Sequence, residues 1–381
     1  MCLGLGTYWT GRLAWADHLS RGNDLSSRVE AVRLCPSATL YERLAEKREE
    51  LGGDPLPDLE QAVALEPENA RWRLHLGLRA ELSGDLGLAE RSYREAARLS
   101  RQYQPRYLLA QYYFRRQNAD QFGEWSRAAF ATAYGDVAPL LDLCWRMQPN
   151  AEWLVEQSPA GRPEIASQFL LFLARHRQTG AGLPLALRLT ATARSEDLPA
   201  LLDYCNQCLY EGDGATAMGV WNALCARRLV PGHPLDAARG VSLTNGSFEH
   251  PPTGTGFDWR LEKAPWLGFA PFNGGLRLTL SGNQPEICLL ASEYVPVLPE
   301  SRYRLRLAPQ PPETPSAEGL EWMVYDPSGK AVATGRSTDG WLTFTPATEV
   351  VRIGLIYRRP LGSTRLEGSA SIAGAQLELV R

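Results

Sequence analysis

The 381-residue sequence has no excess of charge of either sign: 40 lysines and arginines stand against 43 aspartates and glutamates, a net charge of −3. Without a basic field, the composition argues against nucleic acid or anionic lipid as the main partner. No apolar run reaches the ~18 residues that a membrane span requires. The five histidines, His18, His75, His176, His233 and His250, make no HExxH or other metal-ligand spacing. No GxSxG elbow and no P-loop occur. Gly4-Leu5-Gly6 and Gly254-Thr255-Gly256 each begin like a GxGxxG, but Trp9 and Trp259 stand where the third glycine would be. The chain therefore reads as non-enzymatic, with no cofactor.

Cysteine is sparse and irregular. The seven residues Cys2, Cys35, Cys144, Cys205, Cys208, Cys225 and Cys288 are scattered and odd in number, so no disulfide framework is legible. Cys205-Asn206-Gln207-Cys208 has the CxxC spacing, but it falls in a helical stretch without a second pair or a neighbouring histidine. Buried structural thiols are the expectation there. The opening Met1-Cys2-Leu3-Gly4-Leu5-Gly6 runs into an amphipathic helix that has no start signal. It reads either as a frayed terminus or as the stub of a longer apolar segment. A membrane partner enters only through such an anchor.

What the chain does have is repetition. Apolar content of 44% and charged content of 22% describe an ordered chain. Its length suits two or three domains of roughly 100–200 residues. Ala31-Val32-Arg33-Leu34-Cys35-Pro36 recurs 31 residues later as Ala62-Val63-Ala64-Leu65-Glu66-Pro67, and Ala96-Ala97-Arg98-Leu99 continues the series. Gly22-Asn23-Asp24, Gly53-Asp54 and Gly84-Asp85 repeat the turns. In the clearest unit a helix runs from about Ala70 to Leu82, and Gly84-Asp85 turns the chain. A second helix then places Ala89, Tyr93 and Ala96 on one face. Pro67 stops the preceding helix.

These residues resemble the tetratricopeptide repeat. Leu76-Gly77, Ala89, Tyr93 and Ala96 fall at that family's signature spacing, and Pro67 matches its terminal proline. The match is clearest over 70–103 and looser over 36–69, where Pro55 and Pro57 shorten the second helix. It is weaker over 104–137, where Trp125 and Ala128 come two residues early. Helical patterns continue at Ile165–His176, Leu183–Ala193, Leu198–Leu209 and Ala215–Cys225. Gly180-Ala181-Gly182 and Gly212-Asp213-Gly214 serve as breaks. The array is assigned to residues 1–229, and the resemblance implies a concave face that docks a protein partner. Tyr107, Tyr112, Arg115 and Arg116 are candidates to line it. Helical spacing alone also produces core aromatics beside a basic face.

A linker of prolines and glycines, 230–241, precedes a change of period. Leu276, Leu278 and Leu280, then Tyr303, Leu305 and Leu307, alternate with polar residues, as do Val351, Ile353, Leu355 and Tyr357, and Ala375, Leu377 and Leu379. With Asn-Gly, Asp-Pro-Ser-Gly and Asp-Gly turns, this predicts an antiparallel sandwich over 242–381. Leu243-Thr244-Asn245-Gly246-Ser247-Phe248-Glu249, Gly256-Phe257-Asp258-Trp259 and the closing Gly368–Leu377 resemble the jelly-roll carbohydrate-binding modules of the galactose-binding-like group. That resemblance implies a glycan ligand. The structural calcium of such modules would fall to Glu249, but Ala373-Gly374 stands where its acidic partner is expected, so no metal is assigned. A sugar site needs aromatic rings beside hydrogen-bonding groups. Trp259, Arg260, Glu262, Trp266, Trp322 and Tyr325 are the candidates, with Trp266 in a loop and Trp322 also readable as core.

The fold class is thus a tetratricopeptide-like α-solenoid followed by an antiparallel jelly-roll sandwich. The leading reading is a non-catalytic scaffold of the bacterial cell envelope, extracytoplasmic and membrane-anchored, in polysaccharide synthesis or export, with a protein on the array and a polysaccharide on the sandwich. In the alternative the sandwich is a structural cap on a protein–protein scaffold. In a third, Asp258, Glu262 and Glu286 supply the carboxylates of a glycoside hydrolase.

Overall fold

The structure, a computed structural model, describes residues 2–272, 274–307, 319–336 and 340–380. The chain divides into two compact units: Met1–Asn150 with Gln157–Ala160, and Ala151–Glu156 with Gly161–Arg381.

The first unit is helical: α1 (Cys2–Ser20), α2 (Leu25–Leu34), α3 (Ala38–Glu50), α4 (Leu56–Leu65), α5 (Ala70–Ser83), α6 (Leu86–Leu99), α7 (Tyr103–Arg115), α8 (Ala119–Thr132) and α9 (Ala138–Met147). The short α10 (Ala151–Gln157) follows. From α1 to α9 each helix packs on the next in the chain, as short connections between antiparallel helices require. Asp24 and Asp85 cap helices at the turns read from the sequence, and three further residues do the same. Asp24, Ser37, Asn69, Asp85 and Asn118 each accept a backbone N–H in the first turn of the following helix, filling donors that a helix start leaves open. Gly84 takes φ +90° between α5 and α6.

The seam of that pair explains the repeat. Ala89, Tyr93 and Ala96 are fully buried. Gly77 opposes Tyr93 so closely that a Cβ there would lie 2.9 Å from the ring. The small residue makes the space that the large one fills. Tyr93 donates to Glu81 Oε2 at 3.2 Å, and its ring meets Tyr112 at 5.9 Å. Pro55 precedes α4 and Pro57 lies in its first turn, which is why this helix has only 10 residues.

The second unit opens with α11 (Pro163–Arg175), α12 (Thr179–Thr192), α13 (Leu198–Glu211) and α14 (Gly214–Ala226). The expected break at Gly180-Ala181-Gly182 is instead the first turn of α12. The reason is packing: a Cβ on Gly182 would stand 2.5 Å from the Tyr204 hydroxyl and 3.2 Å from Leu170. The glycine admits neighbouring helices rather than ending its own. Cys205 and Cys208, buried in α13, are inert by environment. Burial pushes the Cys205 thiol up to about 12 and Cys208 higher still.

Eleven strands follow among the described residues: β1 (Arg260–Leu261), β2 (Leu267–Phe272), β3 (Gly275–Ser281), β4 (Ile287–Pro296), β5 (Tyr303–Leu307), β6 (Leu320–Tyr325), β7 (Ala331–Arg336), β8 (Leu342–Phe344), β9 (Val350–Arg358), β10 (Glu367–Ile372) and β11 (Ala375–Leu379). They form a five-stranded sheet, β1-β4-β9-β6-β7, and two three-stranded sheets, β10-β3-β2 and β11-β5-β8. All these pairings are antiparallel. The core lies between them, from Leu290, Trp322, Val324, Ile353 and Leu355 on one side to Leu278, Leu280, Leu305, Phe344 and Ile372 on the other. The architecture is therefore α followed by all-β.

The sandwich is fastened to the last helices of its own unit. Asn206 Oδ1 accepts from Gly256 N at 2.8 Å and from Arg260 Nη2 at 2.7 Å. Trp221 of α14 meets Phe257 at 6.1 Å, and Tyr210 of α13 meets Tyr294 of β4 at 6.0 Å. Between β10 and β11, Gly374 has φ +151°, and a Cβ there would fall 2.2 Å from Gly246 O. The position where an acidic calcium ligand was expected is thus filled by crossing backbone. Any side chain there would collide with it.

Candidate functional site

The array presents a side-chain-sized cleft between α3 and α5, with α4 beneath it. It encloses about 100 Å³ and is lined by Glu42, Ala45, Glu46, Leu59, His75, Leu78 and Arg79. That volume is well below the ~300–1,000 Å³ of small-molecule pockets. Ala45 and Leu59 form an apolar floor, Leu78 an exposed wall, and Leu82 continues the wall one turn on, 69% exposed. The rim is charged. Glu42, almost buried, accepts Arg71 Nη2 on both oxygens at 2.9 and 2.8 Å. It also contacts His75 Nδ1 at 2.6 Å. Arg79 pairs with Glu49 at 3.0 Å. Glu46 stands exposed, with no ion pair among the described residues. Chemically, the cleft can seat an apolar side chain while Glu46 takes a neighbouring cation.

The sequence reading placed the lining on α7, and the structure moves part of it. Tyr112 is a core residue: it is buried, donates to Leu86 O at 3.1 Å and packs on Tyr93. It is withdrawn as a lining residue. Tyr107 is half-buried and stacks on Tyr103 with ring centroids 5.2 Å apart. Arg115 is exposed but held by Glu81 at 2.7 and 2.6 Å. Arg116 is exposed, 6.0 Å from the Tyr112 ring. Leu78 and Leu82 went unread, although His75, Leu78 and Leu82 fall at helical spacing. Leucine on an otherwise polar stripe was the available signal.

In the sandwich, the candidates scatter. Trp259 and Trp322 are each 1% exposed and 6.4 Å apart. Trp259 also donates Nε1 to Asn245 O at 3.1 Å. Both are core residues, closed to a sugar. Arg260 is clamped by Asn206 and Gly256 and lies 4.8 Å from the Tyr294 ring, so its donors are used internally. Trp266 is half-buried and packs on the core rather than standing free. Its carbonyl accepts Ser281 N at 3.1 Å, which adds the turn before β2 to the sheet. Glu262 is exposed, and Tyr325 is half-buried beneath Arg352. Glu249 is exposed, and no group of three ligating side chains occurs among the described residues.

Among the described residues, two acids lie inside the sandwich. Asp258 is fully enclosed and accepts from Thr253 N, Trp259 N and Asn245 Nδ2 at 2.7, 2.8 and 3.2 Å. Glu293 is also fully buried, with Thr244 N on one oxygen at 3.2 Å and no partner on the other. Burial raises its carboxyl well above the ordinary range. Asp258 adds to the shift, while Thr244 and Arg260 oppose it.

No protein-family model matches this chain, and no curated protein does. Solved structures do. The C-terminal part of a TPR repeat-containing protein from Cytophaga hutchinsonii matches at 15% identity and a TM-score of 0.30, over 56% of this chain and 94% of that one. Tom70 of yeast matches at 18% identity and a TM-score of 0.26, over 54% of this chain and 52% of that one. The helix pairs, their caps and their glycine–tyrosine seam give the chain a tetratricopeptide-repeat-like helical fold, followed by a C-terminal β region.

Proposed function

We propose that the chain is a non-catalytic scaffold whose helical array docks a protein partner. The observation that carries this is the cleft between α3 and α5: an apolar floor, exposed Leu78 and Leu82, and on the rim a Glu46 with no ion pair among the described residues. Apolar surface bounded by charge suits a peptide with one apolar anchor beside a lysine or arginine. The test is selection from a random peptide library against the full chain, compared with Leu78→Asp. Enrichment of apolar–basic motifs that bind the parent and lose the variant is expected. Peptides that bind both equally would remove the cleft from the function.

A second reading gives the sandwich a glycan. It resembles a carbohydrate-binding module in its Asn245–Glu249 opening, and it keeps one half-buried tryptophan, Trp341, on an outer sheet face. On this reading the protein works in polysaccharide synthesis or export at a bacterial cell envelope. Exposed Tyr8, Trp9, Leu13 and Trp15 on α1 support a place next to a membrane, where such side chains collect at the interface. The hydrolase reading loses support, because Asp258 has its oxygens occupied by N–H donors and is sealed from solvent.

A further inference from the structure

The sheet β11-β5-β8 has a buried face and an open one. Tyr303 and Leu305 point into the core, so Arg304 and Arg306 point out. The register places Gln376 opposite Arg306 and Glu378 opposite Arg304 on one side, with Thr343 opposite Arg304 on the other. Trp341 stands one residue beyond the pair Leu305–Leu342 and so falls beside Arg306. Its ring lies 4.2 Å from the Arg306 guanidinium and 4.4 Å from that of Arg304.

Among the described residues the charges on this face do not balance. Glu378 holds Arg304 at 2.8 and 2.5 Å. Arg306 spends only Nε, on Gln376 at 2.8 Å, which leaves its terminal nitrogens without a protein partner among the described residues. Arg302, just before β5, is exposed and makes no ion pair among the described residues. Among the described residues, three arginines thus face a single carboxylate. Both guanidiniums lie over the Trp341 ring; the Arg304 edge is taken by Glu378, while the terminal nitrogens of Arg306 remain for bidentate bonding. The half-buried ring keeps part of its surface exposed, and what the guanidiniums leave uncovered is of the kind that packs on the C–H face of a sugar. The site is an open face, which suits a chain of repeating anions better than a small enclosed ligand.

Building on the reading of the sandwich as glycan-binding, we propose that the outer face of β11-β5-β8 binds an acidic polysaccharide. Arg306 and Arg302 take uronate carboxylates, and Trp341 carries a sugar ring. Successive outward residues on β5 are about 6.7 Å apart, so Arg302 and Arg306 engage different sugars of one strand. The test is calorimetric titration of the full chain with oligogalacturonate, a neutral oligosaccharide of equal length and poly-glutamate, at low and high salt. Oligogalacturonate is expected to bind, more weakly as salt rises, with affinity reduced about tenfold or more in Arg306→Gln and in Trp341→Ala. Arg306→Gln should leave melting unchanged, which separates lost binding from lost fold. No binding of oligogalacturonate, equal binding of poly-glutamate, or affinity unaltered in both variants would overturn the proposal. If the neutral oligosaccharide alone binds, the acidic site falls while the glycan reading stands. If neither sugar binds, both fall.

Discussion

The array and the sandwich bury their cores in opposite ways. In the array a small residue makes room for a large one close by in the chain: Tyr93 reaches Glu81 across 12 residues, and Tyr112 reaches Leu86 across 26. In the sandwich, large side chains and even carboxylates meet across long intervals. Thr244 bonds Glu293 across 49 residues, and Gln284 bonds Leu366 across 82. Local seams make stability a sum of neighbouring terms, whereas long-range pairing makes it all-or-none. A lesion in the array should therefore stay local, and one in the sandwich should spread.

The largest test of that contrast is Trp322→Ala. Removing this fully buried ring should cost about 3–5 kcal/mol and lower hydrogen-exchange protection over all three sheets together. Protection lost only near β6 would break the comparison. Gly77→Ala is its counterpart in the array. The added methyl meets Tyr93 at 2.9 Å, and overpacking of this kind costs about 1–3 kcal/mol. Exchange should rise in α5, α6 and α7 while α1 and α2 keep their protection.

Glu293→Gln sharpens the difference through pH. The native carboxyl keeps its proton after the unfolded chain has released one, so the folded state binds more protons above the ordinary carboxyl range. Stability then falls as pH rises through that window, by up to about 1.4 kcal/mol per pH unit, until the native group ionises too. The glutamine variant has no such proton. Denaturant midpoints should show it gaining on the parent as pH rises from about 5, and parallel curves would contradict the assignment. The smallest effect belongs to Leu82→Ser. At an exposed array position stability should change by less than about 0.5 kcal/mol, while binding of any peptide selected on the cleft weakens.

The same contrast explains what could be read in advance. Gly84-Asp85, Ala89, Tyr93 and Ala96 carry their meaning within one 34-residue window, so the repeat was legible. Alternation gave the strands around Leu276 and Tyr303, because a two-residue period is local too. Alternation also marked Trp322 as a core residue, but the fate of Trp259 and Arg260 was not legible. It depends on Asn245, Asn206 and Tyr294, whose proximity arises only from the tertiary fold. Gly182 misled for a related reason: a glycine needed for a close approach looks, in one dimension, like a glycine needed for a turn. The apolar cleft on α3 and α5 was readable in principle, but aromatic residues drew attention to α7, where Tyr112 is structural.

The crossing of Gly374 over Gly246 has a consequence in time. Ala375 donates its N–H to Gly246 O at 2.7 Å, so the first loop of the sandwich waits for β11, the last of the described strands, before its backbone is satisfied. At ribosomal speeds of about 5–20 residues per second, that wait is roughly 6–25 s. Helix pairs such as α5 and α6 can dock as they emerge from the exit tunnel. The nascent β region, by contrast, passes through a period with tryptophans uncovered, when a chaperone has its opportunity and when premature termination leaves a marked, degradable product.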